Sequence, residues 1–511
     1  MPQKPSLKND LLPSIATLLF ISVLQVPVLV LNNAGLRSLV FEVAVIALVF
    51  PMLVLLSRIK CMSSRALFVG LMVLFVSFNF LFQYTVYFTG MRATGDTAAI
   101  EQSLWSLISN TSFSNTIEGQ YFRVTPSPLN HFAVHNSPIL LLFALPYSVF
   151  PSMLTLILSK TLLFALTGFL AMKYVGVSSL ASKTPIANLV PFALLIQTPL
   201  LLMPDLYEGV FIPPLLIWSA LAFRLNNCRQ FLASIGVLAM VRETTFATLF
   251  GWALIAILMR KERMYVIGPL LIGLASFVFS FFVVIPFFNN GQSSPFLSQV
   301  FPSIMALDWG KVTSYCFQLF GLWGGIPLAS PILILAIPDV LLNSLLSGGF
   351  AWTTEVAGRF QMIIVVALFL GACEAVPILA EHISSKFSFP GAQRFLWITI
   401  LFLSILGLFR AGPSLNQVSY RLRQDWRSDT KCIEMVSRTA DPTVCDYQLC
   451  GYFAKRKYLW SSDHYLNKDA RSLAVWYVIR GDDKEHYLAL PDWQVTCEGD
   501  GIVVMKKWTR E

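Results

Sequence analysis

Residues 264–288 read MYVIGPLLIGLASFVFSFFVVIPFF, an apolar run without a charged side chain. As an α-helix, a run of about 20 such residues crosses the hydrocarbon core of a bilayer. The 511-residue chain is 56 % hydrophobic and 13 % charged, whereas ordinary soluble domains have about 25 % charged residues. This composition excludes a simple soluble enzyme, a disordered chain and a fibre, and it predicts a polytopic, all-α membrane protein.

Similar apolar runs recur along the chain and predict about 13 transmembrane helices. The candidate spans are Leu11–Leu31, Leu39–Leu56, Ala66–Phe88, Pro151–Val175, Ile186–Met203, Gly209–Phe223, Phe231–Val241, Thr244–Met259, Met264–Phe288, Val312–Trp323, Leu328–Leu346, Phe360–Ala380 and Phe395–Ala411. Phe231–Val241 and Val312–Trp323 are short for a full crossing, so we expect tilted, broken or re-entrant helices there.

The loop charges predict the orientation of these spans. With the N-terminus inside, the inner loops contain 14 Lys and Arg residues and the outer loops contain six. The positive-inside rule favours this arrangement, which puts residues 412–511 outside the cytoplasm. The net charge of +9 then belongs mainly to the inner loops of an inner-membrane protein. It does not indicate a nucleic-acid partner.

The last hundred residues differ in composition from the rest. Residues 412–511 contain 15 basic and 14 acidic residues. They are predicted to form a small extracytoplasmic α/β domain that follows a transmembrane domain over residues 1–411. The predicted elements are a helix, Arg421–Arg438, short strands at Thr443–Cys445, Tyr458–Trp460 and Ala474–Ile479, and a closing hairpin of Trp493–Glu498 with Ile502–Trp508.

Four of the eight cysteines lie in this tail: Cys432, Cys445, Cys450 and Cys497. Outside the cytoplasm, cysteines form disulfides readily. We therefore predict at least one tail disulfide, involving Cys445 or Cys450. Four cysteines allow three pairings, and the sequence leaves the choice among them open.

Residues 89–150 are predicted to form a large loop on the outer side of the membrane, and we call this segment the first outer loop. Within it, Thr97–Ile108 is predicted to be an amphipathic helix lying on the membrane surface. Asp96 is expected on a loop just before this helix, where Gly95 permits an unusual backbone angle. The sequence shows no internal repeat.

Ionisable residues near the outer membrane face are costly unless they are paired or hydrated, so they indicate function. The candidate site residues are Asp96, Glu101, His131, His135, Asp205, Glu208, Arg242, Glu243, Lys311 and Arg359. On a helix, His131 and His135 would share one face and could bind a metal. Because no third ligand accompanies them, we prefer hydrogen-bonding or substrate contacts, assign no metal ligand and leave a divalent ion open.

The sequence contains no P-loop, no dinucleotide-binding fingerprint after a strand, no Gly-x-Ser-x-Gly and no His-Glu-x-x-His. Four other motifs resemble a family of bacterial and archaeal membrane proteins, domain of unknown function 2079. They are DTAAIEQSLW at residues 96–105, HFAVHNSP at 131–138, PDLYE at 204–208 and Arg242-Glu243. That family is in turn similar to the GT-C superfamily of glycosyltransferases.

The resemblance implies a GT-C-like fold with two additional N-terminal spans. It also implies transfer of a sugar from a polyprenyl-phosphate carrier to a glycan, lipid or protein acceptor at the outer membrane face. Asp96 would be the general base, with Glu101 as a second catalytic candidate, and the other eight candidates would bind substrate or phosphate. Two alternatives stay open: a non-enzymatic transport role, and a role in envelope assembly through the outer domain.

Overall fold

The computed structural model describes residues 64–88, 94–121, 128–178, 187, 189–197, 206–293, 308–346, 361–389, 391–410, 426–463, 468–480 and 492–508. The helices before the tail are α1 (Ser64–Phe88), α2 (Gly95–Asn110), α3 (Thr116–Tyr121), α4 (Leu141–Val149), α5 (Met153–Ser178), α6 (Val190–Gln197), α7 (Ile212–Arg224), α8 (Cys228–Leu238), α9 (Phe246–Leu258), α10 (Arg263–Val278), α11 (Ile285–Phe288), α12 (Trp309–Gly321), α13 (Ile337–Leu346), α14 (Met362–Phe387) and α15 (Ala392–Arg410).

Shorter elements connect these helices. A π-helix, Phe279–Val284, joins α10 to α11. The 3-10 helices before the tail are His131–Ala133, Pro138–Leu140, Glu208–Phe211, Glu243–Thr245, Ile326–Ala329 and Pro331–Ala336, and the tail contains another at Cys450–Phe453. In the first outer loop, β1 (Ser114–Asn115) pairs antiparallel with β2 (Leu129–Asn130).

Three helices in the described ranges are long and apolar enough to cross a membrane. They are Met153–Val177, the continuous run Arg263–Phe288, and Met362–Phe387. Shorter apolar stretches lie at Phe68–Leu81 within α1, and at Pro138–Val149, Cys228–Leu238, Glu243–Leu258, Pro331–Leu345 and Ala392–Ser404. The predicted spans Leu11–Leu31 and Leu39–Leu56 lie outside the described residues. The number of about 13 spans therefore stays a prediction.

Two consecutive helical hairpins, α7–α8 and α9–α10, follow the same plan. In each, an extended residue, Tyr207 or Arg242, precedes a glutamate that opens a 3-10 helix. The first helix of each hairpin has 13 residues and is followed by a left-handed residue, Asn226 at φ 54° or Arg260 at φ 51°. The sequence shows no internal repeat, yet these two hairpins follow similar backbone paths with dissimilar side chains.

The turns of the two hairpins close in the same way. The amide of Asn227 donates to the carbonyl of Ala222, and the amide of Lys261 donates to that of Ala256, both at 2.9 Å. A 13-residue α-helix is about 20 Å long. The glutamates thus lie at one end of the hairpin pair, and both turns lie at the other end.

The tail contains α16 (Trp426–Ser437), β3 (Thr443–Cys445), β4 (Leu459–Ser461), α17 (Lys468–Leu473), β5 (Trp476–Arg480), β6 (Trp493–Glu498) and β7 (Ile502–Lys507). Its sheet has the order β4-β3-β5-β7-β6, with β3 parallel to both neighbours and the other pairs antiparallel. The predicted tail strands are confirmed to within two residues, and the predicted helix is confirmed over Trp426–Ser437, whereas α17 was not predicted. The boundary predicted at residue 412 lies outside the described residues.

Two disulfides hold the tail together. Cys432–Cys497 joins α16 to β6, and Cys445–Cys450 closes the segment after β3. The prediction of at least one tail disulfide is confirmed, and one of the three open pairings is selected.

Helix α2 lies between the membrane helices and the tail. Its residues Ala98 and Ala99 are buried in one hydrophobic cluster with α16 and the tail sheet. Ile100 and Leu104 are buried in the large cluster of the membrane helices. The prediction that this helix lies on the membrane surface is therefore wrong, because it buries residues on both sides rather than on one stripe.

Helix α3 satisfies the backbone of β4, the edge strand of the tail sheet. The Thr116 hydroxyl accepts from the Leu459 amide at 2.9 Å and donates to the Leu459 carbonyl at 2.5 Å. Gln120 binds the Ser461 amide and carbonyl, both at 2.7 Å. Two side chains one helical turn apart thus take the place of a neighbouring strand. We call these contacts the loop–tail seam.

We expect Thr116→Val to loosen the loop–tail seam. Valine keeps the shape of threonine but leaves the buried amide and carbonyl of Leu459 without their partner, at about 1–3 kcal/mol. Hydrogen exchange of the peptide containing Leu459 and Ser461 should become about tenfold faster. The control Thr496→Val, on the exposed face of β6, should leave that exchange unchanged. Equal exchange in parent and Thr116→Val would show that the seam does not hold the strand.

Candidate functional site

The repeated hairpins bring an arginine between two buried glutamates. Arg242 Nε lies 3.8 Å from Glu208 Oε1 and 3.6 Å from Glu243 Oε1. Its Nη1 donates to the Tyr207 hydroxyl, and its guanidinium lies 5.7 Å from the centre of that ring. Both glutamates are only 2 % exposed. We call these four residues the hairpin centre.

The first outer loop is bound to the hairpin centre. His135 Nδ1 donates to Glu243 Oε1 at 2.9 Å, and the Asn136 amide donates to Glu243 Oε2 at 3.0 Å. The Asn136 side chain donates to Ser280 Oγ at 2.7 Å, within the π-helix. Single-turn π-helices often occur at functional sites. Glu243 therefore faces Arg242 and also binds His135 and Asn136 of the loop, which precede it by 108 and 107 residues in the sequence.

A second glutamate holds the other histidine. His131 Nδ1 lies 2.9 Å from Glu118 Oε1, and its Nε2 lies 2.8 Å from Ser137 Oγ. Asn115 donates to Glu118 Oε2 at 2.6 Å. The order carboxylate–imidazole–hydroxyl is that of a hydrolase triad. Ser137 is, however, completely buried. This chain of contacts therefore fixes the loop and does not present a nucleophile.

The Glu118–His131 pair has a mutual electrostatic effect. Burial alone would raise the pKa of the Glu118 carboxyl, but the imidazole of His131 outweighs burial and lowers that pKa. Burial alone would lower the pKa of His131, but the carboxylate of Glu118 raises it. Both groups therefore stay charged over a wider pH range than they would apart.

The two histidines bind different glutamates. Within residues 131–135, only His131–Ala133 is helical, as a 3-10 turn. The centres of the two imidazole rings lie 5.9 Å apart, and His131 binds Glu118 whereas His135 binds Glu243. Among the described residues, no group of three His, Cys, Asp or Glu side chains could hold a metal ion. Both histidines thus form the kind of hydrogen bonds that we prefer for them from the sequence.

Asp96 lies in the first turn of α2. The expectation of a loop is therefore wrong. Gly95 is needed for space, because a Cβ atom there would overlap the ring of Tyr447 in the tail. The next residue, Thr97, accepts a hydrogen bond from the Leu206 amide at 3.0 Å, one residue before Tyr207. The start of α2 thus lies against the segment that leads into the hairpin centre.

Glu101 is enclosed between α2, α4 and the tail. The Tyr147 hydroxyl donates to Glu101 Oε1 at 3.1 Å. Burial raises the pKa of Glu101 to about 7, although the charge of Lys455 and the Tyr147 hydrogen bond oppose the rise. A carboxyl group with this pKa exchanges protons near neutral pH.

Of the remaining candidates, one lies in α12 and two lie outside the described residues. Lys311 is exposed in the first turn of α12, where Asp308 accepts from the amides of Gly310 and Lys311. Asp205 and Arg359 lie outside the described residues. The predicted meeting of Asp96, Arg242 and Arg359 in one cavity therefore stays a prediction.

Three charged residues inside apolar segments were overlooked in the sequence. Lys160 is completely buried in α5. Asp339 Oδ2 in α13 accepts from the Thr248 hydroxyl at 3.5 Å. Glu374 in α14 pairs with Arg224 and accepts hydrogen bonds from the hydroxyl groups of Tyr174 and Ser330. The signal that could have found them is a charge inside an apolar run, which a bilayer tolerates only with a partner or water.

The family model of the predicted membrane proteins DUF2079 matches residues 91–420, and the chain belongs to this family. The predicted family is thereby confirmed. No curated protein matches the chain.

Two solved structures of ArnT from Cupriavidus metallidurans are similar to the chain, each with 13 % sequence identity. The one bound to undecaprenyl phosphate has a TM-score of 0.49 and covers 85 % of this chain and 98 % of that chain. The structure in the apo state has a TM-score of 0.46, and the match covers 86 % of this chain and 98 % of that chain. Scores this low assign no activity to this chain.

We expect His131→Gln to reduce stability in a pH-dependent way. The Glu118–His131 ion pair contributes fully between pH 4.5 and 6.5, the ordinary pKa values of the two groups. Its contribution is lost as pH falls through the lowered pKa of Glu118 or rises through the raised pKa of His131. The difference in thermal midpoint between parent and variant should therefore be larger at about pH 5.5 than at about pH 8.5.

The control for this measurement is His382→Gln, since His382 is exposed on α14. It should match the parent at both pH values. If His131→Gln lowers the thermal midpoint by the same amount at both pH values, the Glu118–His131 pair is not charged.

Proposed function

We propose that this protein is a membrane glycosyltransferase that moves a sugar from a polyprenyl-phosphate carrier to an acceptor at the outer face of the inner membrane. The observation that supports the proposal best is the hairpin centre, where Glu243 binds the outer-loop motif of residues 131–138. Described residues of three motifs that carry the family resemblance thus meet at one end of the helical hairpins. A membrane scaffold without a site would have little reason to bury such charges there.

The proposed reaction is a displacement at the anomeric carbon of the sugar. The acceptor hydroxyl gives its proton to the Asp96 carboxylate, and its oxygen forms a bond to the anomeric carbon. The bond between that carbon and the phosphate oxygen breaks, and polyprenyl phosphate leaves with the electron pair. Asp96 supplies the base, as part of a helix whose packing on both sides fixes its position.

We propose a role for Arg242 that differs from the one predicted from the sequence. We expected its guanidinium to bind the phosphate, but it faces two carboxylates and a tyrosine hydroxyl. We propose that Arg242 neutralises Glu208 and Glu243, so that Glu243 can hold His135 toward the substrate. We assign the phosphate contact to the other two cations predicted from the sequence, Lys311 and Arg359.

The lipid chain of the donor would lie along the phenylalanines beside the centre. Phe279, Phe282 and Phe287 are exposed on the continuous helix that contains the π-helix. Phe288 of the same helix packs on Phe132 of the outer loop, at 5.6 Å between ring centres. The apolar wall therefore reaches the loop that carries His131 and His135. Mass spectrometry of co-purified lipid tests this assignment, and absence of any polyprenyl phosphate in an active preparation would contradict it.

Asp96→Asn should abolish transfer in a folded, inserted protein. Asparagine keeps the shape of aspartate but cannot accept a proton, and loss of a general base costs on the order of 10² to 10⁴ in rate. The measurement is turnover of lipid-linked sugars in membranes of a deletion strain that carries each variant. Glu101→Gln should have a much smaller effect, because its amide can still accept from Tyr147.

The matched control is Asp500→Asn, which makes the same change at an exposed position in the tail. It should behave as the parent. Full turnover by Asp96→Asn at normal protein level would remove Asp96 from the chemistry and favour a non-enzymatic role.

We also propose that the tail is extracytoplasmic. Arg438→Cys places a thiol at the end of α16, where the arginine is 78 % exposed. A membrane-impermeant maleimide should label this thiol on intact cells, and the parent should stay unlabelled under the same conditions. Labelling only after lysis would reverse the orientation and place Asp96 inside.

A further inference from the structure

The turns of the repeated hairpins concentrate positive charge at the end opposite the hairpin centre. The cations at this end are Arg224, Arg229, Arg260, Lys261 and Arg263. Within residues 224–263, the acid at the turns is the exposed Glu262. We call the two turns with their five cations the paired-turn patch.

Two of these cations are held in fixed positions. Lys261 Nζ donates to the Phe223 carbonyl at 3.2 Å and to the Asn226 side chain, so it bridges one turn to the other. Arg224 Nε lies 3.2 Å from Glu374 Oε1. Glu374 Oε1 also accepts from Tyr174 at 3.1 Å. The patch is therefore organised before any ligand arrives, which lowers the entropic cost of binding.

The other three cations are exposed and available to a partner. Arg229 lies in the first turn of α8, and Arg260 and Arg263 lie on either side of the second turn. The helices α8 and α10 begin here, and the amino-terminal end of a helix favours negative charge. The patch therefore combines three exposed guanidinium groups with the ammonium group of Lys261, which is held in place, and the amino-terminal ends of two helices.

An apolar surface continues directly from the patch. On α10, Ile267, Leu271 and Leu274 are exposed at helical spacing beyond Arg263. In a membrane protein such a surface faces acyl chains, and a headgroup above those chains would lie at the level of the patch.

We propose that the paired-turn patch binds the headgroup of an anionic phospholipid. A diacyl lipid matches both features, because its phosphate can pair with the guanidinium groups while its chains cover the exposed face of α10. A free anion would use the cations but not the apolar face, and an acidic protein would not use the face that lipid chains cover. The patch is about one 13-residue helix, roughly 20 Å, from the hairpin centre, so it is distinct from the donor site.

The test compares two lipids on the purified full-length protein. Phosphatidylglycerol or phosphatidylcholine is added in detergent, and bound lipid is counted by native mass spectrometry. Phosphatidylglycerol should bind about tenfold more tightly than phosphatidylcholine to the parent, and Arg260→Gln/Arg263→Gln should lose most of that preference. The matched control, Lys431→Gln/Arg438→Gln, removes two exposed charges at α16 and should keep the preference for phosphatidylglycerol.

Three further measurements make the outcome decisive. The thermal midpoint without added lipid should be the same for parent and both double variants, since the changed side chains are exposed. Inorganic phosphate should not displace phosphatidylglycerol, and displacement would identify a site for a free anion instead. Binding of polyprenyl phosphate should be unchanged in Arg260→Gln/Arg263→Gln, which separates this proposal from the proposed function. An unaltered lipid preference in that variant would overturn the proposal.

Discussion

The carboxylate of Glu243 is the constraint on which the organisation of the site depends. It is buried, it accepts hydrogen bonds from His135 and the Asn136 amide, and it faces Arg242. Removing one partner from such a group would leave an uncompensated buried charge, a change that typically costs several kcal/mol. The outer loop, the second hairpin and the π-helix are therefore positioned together, and none of them can shift without disturbing the others. This is how a site assembled from distant segments keeps one geometry.

The repeated hairpins explain why both ends of this helix group carry charge. A glutamate opens each hairpin and a left-handed turn closes it, so two copies side by side pair the glutamates at one end and the turns at the other. Acidic residues with one arginine gather at the first end, and basic residues gather at the second. The same architecture thus supplies a polar centre near the outer loop and a cationic surface about 20 Å away.

Much of the fold could be predicted from local sequence, and much of the site could not. The tail strands were placed correctly because short apolar stretches bounded by polar turns determine them locally. Helix α2 was predicted correctly as a helix but assigned to the wrong surroundings, since Ala98 and Ala99 give no sign of a tail more than 300 residues away. The partnership of Glu243 with His135, and of His131 with Glu118, depends on tertiary folding. Motif order suggested which residues matter, but not which of them touch.

The loop–tail seam has a consequence for how the chain is made. Thr116 and Gln120 are synthesised more than 300 residues before the strand whose backbone they satisfy. Until the tail is complete, those side chains have no strand to bind, and afterwards the open edge of β4 is closed by a helix. An uncovered edge strand is a template for pairing with other chains. Contacts of such long sequence separation form slowly. The seam therefore closes an otherwise open strand edge with side chains that are made long before the strand itself.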